Sequence, residues 1–138
     1  MASEPVTNGH CLCGQVRYRA IGEPNWRCYC HCESCRRATG VPVTAFASFP
    51  VANFTFEGQP ARYLSSPGVT RTFCSRCGTP LTYESEDLPG EIHLLVGSAE
   101  HPEAAHLAPQ YHVFEKERIS WVDIGDRLPR SKPKSTSG

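Results

Sequence analysis

What this chain lacks narrows its function before any motif is read. It has no run near the roughly 20 apolar residues that a membrane-spanning helix needs, so no membrane is expected as a partner. Its opening stretch, MASEPVTNGH, has neither a basic segment nor an apolar core. We therefore expect no secretory signal and a cytoplasmic location, where thiols stay reduced. Neither sign of charge is in excess: 14 Lys+Arg stand against 14 Asp+Glu, with a pI near 7.0. That balance gives no global drive toward nucleic acid or an anionic surface. No stripe of Lys and Arg with interleaved aromatics is present, and only RLPRSKPK is locally basic. Nucleic acid is accordingly not expected as a partner. There is no internal repeat long enough for a solenoid. Lysine itself is scarce, since 11 of the 14 basic residues are arginine, which suits planar anion contacts better.

What is present is punctuation and sulfur. The 138 residues suit one domain with a small core. Eleven Gly and 12 Pro separate short β-like runs. QVRYRAI alternates Val16, Tyr18 and Ala20 with Arg17 and Arg19. VTAFASF is apolar nearly throughout, and NFTFEG, ARYLS, VTRTF, PLTYE and EIHLLVG follow. Many short strands between turns predict a mainly β, mostly antiparallel fold. Two stretches read as short helices: ESCRRATG, closed by Gly40 as a C-cap, and HPEAAHL, with Pro102 near its start. The end, PRSKPKSTSG (129–138), has no apolar residue and reads as a disordered tail.

The eight cysteines fall into three groups. HCLCG carries Cys11 and Cys13, which share one face if extended. FCSRCG carries Cys74 and Cys77 at knuckle spacing, followed by Gly78, which can take the positive φ such a turn requires. Two dyads distant in the chain, each followed by glycine, predict a closed four-thiolate structural zinc site: Cys11, Cys13, Cys74, Cys77. A disulfide or unlinked core cysteines are the bland alternatives. The middle group, CYCHCESC, differs. Cys30 and Cys32 share a face, and Cys35 follows one helical turn later. Three thiolates leave a fourth zinc position for substrate, the catalytic arrangement. Cys28 is a candidate fourth ligand that would close the site. However, three alternate residues of a straight strand span about 13 Å, so Cys28 reads better as a small buried hydrophobe. His93, His101, His106 and His112 are remote candidates, and His31 points away from its neighbours if the segment is extended.

GHCLCGQVRY, CHCESCRRATG and FCSRCGTPLTYE resemble, in order and spacing, the glutathione-dependent formaldehyde-activating enzyme family, which also contains the centromere protein V group. The resemblance runs from about residue 9 to 128 and includes the late WVDIGDRLP. It implies an Mss4-like fold of coiled antiparallel β-sheets stapled by zinc, with one or two short helices. It implies a flexible stretch at 1–8, a zinc-binding domain at 9–128 and a tail at 129–138. Carried over motif by motif, Cys11, Cys13, Cys74 and Cys77 match structural zinc ligands, and Cys30, Cys32 and Cys35 match ligands of a catalytic zinc. Two Zn²⁺ per chain follow, the second more labile. The reaction implied is that of a carbon–sulfur lyase: glutathione and formaldehyde in exchange with S-hydroxymethylglutathione.

Three thiolates around Zn²⁺ leave a net charge of about −1, a weaker Lewis acid than a three-histidine site, which favours thiol exchange. An anionic thiol such as glutathione calls for cations nearby. Arg36 and Arg37 follow the site directly, and Arg71 and Arg76 flank the other knuckle. Glu33 and Tyr29 are the local candidates for a general acid. Two other functions fit the same residues: a non-catalytic zinc-stapled binding module, and an enzyme of the same family acting on a different thiol.

Overall fold

The structure, a computed structural model, describes residues 4–133. Among the described residues ten strands form two sheets. The strands are β1 (Val6–His10), β2 (Arg17–Ile21), β3 (Trp26–Cys30), β4 (Thr44–Pro50), β5 (Phe54–Glu57), β6 (Ala61–Ser66), β7 (Val69–Phe73), β8 (Pro80–Ser85), β9 (Glu91–Leu95) and β10 (Tyr111–Val113). The small sheet has the order β1-β2-β5, and the large one β10-β3-β4-β9-β8-β7-β6. Every pairing is antiparallel except that of β10 with β3, which is parallel and lies at one end of the large sheet. This is the mainly β class expected from the strand-length runs.

One α-helix, α1 (Glu33–Thr39), is present among the described residues. Glu33 adds negative charge to its first turn, and Gly40 ends it in the left-handed conformation at φ 77°. HPEAAHL, read as a helix, forms only a 3-10 turn over Ala105–Leu107. The stretch is too short to nucleate a free helix.

The central strands of the large sheet are buried on both faces, and the alternation of their side chains sorts the molecule. Ala47 and Phe49 of β4, Leu81 of β8 and Leu94 of β9 join Tyr18 and Ala20 of the small sheet in the main core. Phe46, which intervenes on β4, turns to the other face, and so does Tyr83 of β8, because a bulge at Leu81 interrupts the alternation of that strand. There they meet Cys28, Cys30, Cys35 and Tyr111 in a second cluster. The near-continuous apolar run of β4 follows from this two-sided burial.

Both ends differ from the sequence reading. β1 starts at Val6 and pairs with β2 from Val6↔Ile21 onward, so residues 6–8 are strand, not flexible lead. The pattern missed it because Asn8 and Gly9 interrupt the apolar alternation. In the tail, the His112 amide donates to Pro129 O (2.8 Å) and Arg130 pairs with Asp126 (3.0 Å). These two contacts hold residues expected to be disordered. Residues 1–3 of the expected lead and 134–138 of the expected tail lie outside the described residues.

Gly9 has no room for a side chain. A Cβ there would sit 2.1 Å from the Tyr18 hydroxyl oxygen and 2.7 Å from Ser98 O. Nothing lies within 4 Å of a Cβ at Gly97. Gly9→Ala should therefore lower the unfolding free energy by roughly 2–3 kcal/mol, while Gly97→Ala should change it by no more than about 0.5 kcal/mol. Urea denaturation of the two variants checks the contrast.

Candidate functional site

The two distant cysteine dyads meet. After β1 the chain turns at Gly14 (φ 80°), whose amide donates to Cys11 O at 3.0 Å. After β7 it turns at Gly78 (φ 81°), whose amide donates to Cys74 O at 2.8 Å. Positive φ is what glycine permits at little cost. These turns leave amides free for sulfur. The Val16 amide donates to Cys11 Sγ (3.3 Å), and the Arg76 and Cys77 amides donate to Cys74 Sγ (3.4 and 3.5 Å). The Leu12 amide donates to Thr79 Oγ1 (3.0 Å) and sews one turn to the other. The four sulfurs of Cys11, Cys13, Cys74 and Cys77 all lie within 4.8 Å of one another. Donors around sulfur favour the thiolate. The Thr79 hydroxyl and then its amide hold the Cys77 thiol down to about 5. The donor set could hold a metal ion.

The second sulfur cluster is built by a strand end and a helix start. Cys30 ends β3, Cys32 caps α1, and Cys35 lies in the first turn of that helix. The Cys35 amide donates to Cys32 Sγ at 3.3 Å. The three sulfurs lie within 4.8 Å of one another, and this set too could hold a metal ion. Hydrogen bonds from the Cys30 and Cys35 thiols, with the Cys35 amide and the Arg71 charge, hold Cys32 down to about 2. Cys28 does not join the group. It lies two residues back along β3, about 7 Å by strand geometry, while the turn into α1 brings Cys32 and Cys35 to Cys30 instead. Cys28 is buried against Phe46 and Tyr111, and burial pushes its thiol up to about 12. It remains part of the site as wall, because all four cysteines line one cavity of about 480 Å³.

The rest of that cavity differs from what adjacency in sequence suggested. Arg36 and Arg37, next to the thiols in the chain, do not line it. Arg37 pairs with Glu33 at 2.9 Å on the exposed side of α1, and Arg36 reaches Glu117 O at 3.5 Å. Successive helix residues point about 100° apart, so only one residue of the motif's end can face the cluster. The cation that does face it is Arg71, from β7. Its Nη1 and Nη2 each lie 3.8 Å from Cys35 Sγ, and Nη2 donates to Ser34 Oγ at 3.3 Å. Its guanidinium sits 4.9 Å from the centre of the Tyr83 ring. Arg76 lies at the other knuckle, outside the cavity. Glu33 and Tyr29 lie outside it too: Glu33 is tied to Arg37, and Tyr29 packs on His112 with ring centres 4.9 Å apart.

Lys132, Phe114, Tyr111 and His93 also line the cavity. No motif announced Lys132 or Phe114. Phe114 is the one non-glycine with positive φ (54°) among the described residues, with its side chain largely exposed. That conformation costs about 1–3 kcal/mol and tends to mark functional positions. It was the one local signal available, and it is invisible in sequence. Of the other histidines, His101 is exposed beside Glu103, His106 bonds Thr7 at 2.8 Å, and His31 contacts His112.

His93 sits in the cavity wall with Nε2 3.1 Å from Glu91 Oε1 and its ring packed on Trp26 and Tyr83. Burial holds it below the usual histidine range, partly opposed by Glu91. A depressed histidine binds its proton less well when folded. As pH falls through about 6.5, the unfolded chain gains the proton first and stability drops, by at most about 1.4 kcal/mol per unit. Relative to His93→Gln, the native protein should lose stability between pH 7 and pH 5.5. Denaturant melts at several pH values check the sign, and a constant difference would refute it.

Comparison with known proteins agrees with this architecture. A crystal structure of a Rhodobacter sphaeroides protein superimposes with a TM-score of 0.54 at 21% identity, over 67% of this chain and 87% of that one, a likeness of fold. An uncharacterized lyase of Schizosaccharomyces pombe is 36% identical over 80 residues, 57% of this chain and 58% of that protein. The match thus spans under two thirds of that relative's length. The model of the glutathione-dependent formaldehyde-activating enzyme family matches residues 6–117, a span that contains both sulfur clusters. The chain belongs to the glutathione-dependent formaldehyde-activating enzyme family.

Proposed function

We propose that this protein is a zinc-dependent carbon–sulfur lyase acting on a thiol–aldehyde adduct, with S-hydroxymethylglutathione, glutathione and formaldehyde as the reference set. One observation carries the reading: three mutually close thiols form part of the wall of a cavity of about 480 Å³, with no fourth cysteine closing the set. The family match and the lyase relative support a lyase-type activity.

The donor sets fit zinc, since soft thiolates select it and amide and guanidinium donors already surround the sulfurs. Cys11, Cys13, Cys74 and Cys77 would hold a structural ion, and Cys30, Cys32 and Cys35 a second. At the second set, a bound ion would supply an electrophilic centre able to keep a substrate thiol deprotonated near neutral pH. The chain's own residues do the rest. Arg71 offsets the negative charge of the thiolates and, with Lys132, draws an anionic substrate in. Tyr83 holds Arg71 in place through its ring face. Trp26, Phe46, Tyr111 and Phe114 make the walls mostly apolar, which excludes water and strengthens each charge inside. In the lyase direction the carbon–sulfur bond breaks with its electron pair going to sulfur, the hydroxyl gives up its proton to solvent as its oxygen becomes the carbonyl oxygen, and thiolate and aldehyde leave.

Two experiments test this. Protein loaded with Co²⁺ should show visible bands that shift saturably on titration with glutathione, and Cys30→Ser should abolish the shift. Bands that never move mean a closed site and a zinc-stapled binding module instead. In turnover assays, Arg71→Ala should raise KM for an anionic thiol roughly tenfold, about 1.4 kcal/mol, with metal content unchanged. Arg37→Ala should leave KM where it is, and the reverse ranking would return the anion to α1.

A further inference from the structure

Two fully buried histidines belong to neither sulfur cluster. His31, between Cys30 and Cys32 in the chain, lines a separate cavity of about 90 Å³ with His112, Glu115, Arg118, Asp123 and Arg130. Its Nε2 lies 2.9 Å from His112 Nδ1 and 3.6 Å from Glu115 Oε2. One ligand atom from each of His31, His112 and Glu115 lies within 4.8 Å of the others. His31 is 0% exposed, and its Nδ1 finds no hydrogen-bond partner.

The surroundings choose the sign of a ligand. His112 Nε2 lies 3.0 Å from Asp126, and in the tautomer whose Nε2–H donates to that carboxylate the Nδ1 lone pair faces His31. A carboxylate behind an imidazole is the usual support of a metal-ligating histidine. Glu115 gives Oε1 to the Arg118 Nε (3.0 Å) and keeps Oε2 on the histidine side. Both guanidiniums are already engaged. Arg118 donates Nη1 to the carbonyls of Ile119 and Ser120 (3.3 Å each) and packs against Val122 O. Arg130 donates to Asp126 (3.0 Å) and to Ile124 O (3.2 Å), and its Nη1 packs against His112 Nε2. Much of their donor capacity is thus taken up by oxygens of the chain itself. Three carboxylates (Glu115, Asp123, Asp126) face two guanidiniums (Arg118, Arg130), a balance that favours a cation.

The spacing agrees. Around a small dication with bonds of about 2.1 Å, adjacent ligand atoms lie roughly 3.0 to 3.4 Å apart, from octahedral to tetrahedral. The 2.9 and 3.6 Å that His31 Nε2 makes lie within a few tenths of an ångström of that range, and all three ligand atoms lie within 4.8 Å of one another. We propose that His31, His112 and Glu115 form a metal site distinct from the sulfur clusters, for a borderline transition dication such as Zn²⁺, Co²⁺ or Ni²⁺. An ion there ties β10 and the following turn to the chain between Cys30 and Cys32. Val113, Phe114 and Glu117 of that segment are walls of the larger cavity, so occupancy of this site steadies the substrate wall.

The test uses the intact chain, Co²⁺ and elemental analysis of bound metal. Sulfur sites announce themselves by sulfur-to-cobalt charge transfer, and a histidine–carboxylate site does not. We expect one equivalent that adds weak d–d absorption and no charge transfer. His112→Asn and Glu115→Gln should each lose it while keeping the charge-transfer bands of the native protein, which also reports that they fold. Glu115 is only partly buried, so its variant decides if His112→Asn does not fold. Absence of a thiolate-free equivalent in the native protein, or its survival in Glu115→Gln, overturns the assignment. The count of thiolate-free ions is independent of how many sulfur sites load and of any lyase activity.

Discussion

The rest of the structure depends on one constraint: the central strands of the large sheet are buried on both faces. A strand alternates its side chains, so β4 must satisfy two interiors at once. Phe49 and Ala47 pack with the small sheet, while Phe46 faces the cysteines of β3 and α1. β8 also serves both interiors, but through a bulge opposite Thr72 and Phe73 that sends Leu81 one way while Tyr83 goes the other. A slip of one residue in register would exchange the two sets. It would put Tyr83 into the core and take away the support on which Arg71 rests.

The two sulfur clusters stand in different relations to that sheet. The Cys11/Cys13/Cys74/Cys77 group joins the turn after β1 to the turn after β7, and its amide donors come from glycine-closed turns. Cys11 and Cys74 are both buried in the main core, so the cluster is continuous with the packing that holds the sheets together. The Cys30/Cys32/Cys35 group sits on the opposite face, where an apolar cavity begins. One is continuous with the core and the other opens on a cavity, a difference made by the faces of one sheet.

The C-terminal stretch does more than its composition suggests. β10 adds a parallel strand beside β3, and the segment beyond it folds back so that Pro129 accepts from the His112 amide. Lys132 thereby reaches the cavity wall. Polar residues with few apolar neighbours look free in sequence, but here backbone hydrogen bonds and the Asp126–Arg130 pair hold them.

Much was legible in the chain. Strand-length apolar runs announced β2 and β4 through β9, and Gly40 announced the end of α1. Cysteine spacing alone divided seven of the eight cysteines into the two groups that the fold brings together, because C-x-C and C-x-x-C are local geometries that survive whatever surrounds them. β1 was hidden by Asn8 and Gly9, and β10 by its length of three residues. Arg71 outranks Arg36 and Arg37 at the thiols, although the latter are adjacent in the chain. Local spacing is set by covalent geometry and can be read from a sequence. Which cation, aromatic ring or histidine meets a cluster is set by strand register and by the face a side chain occupies, and those exist only once distant segments have paired.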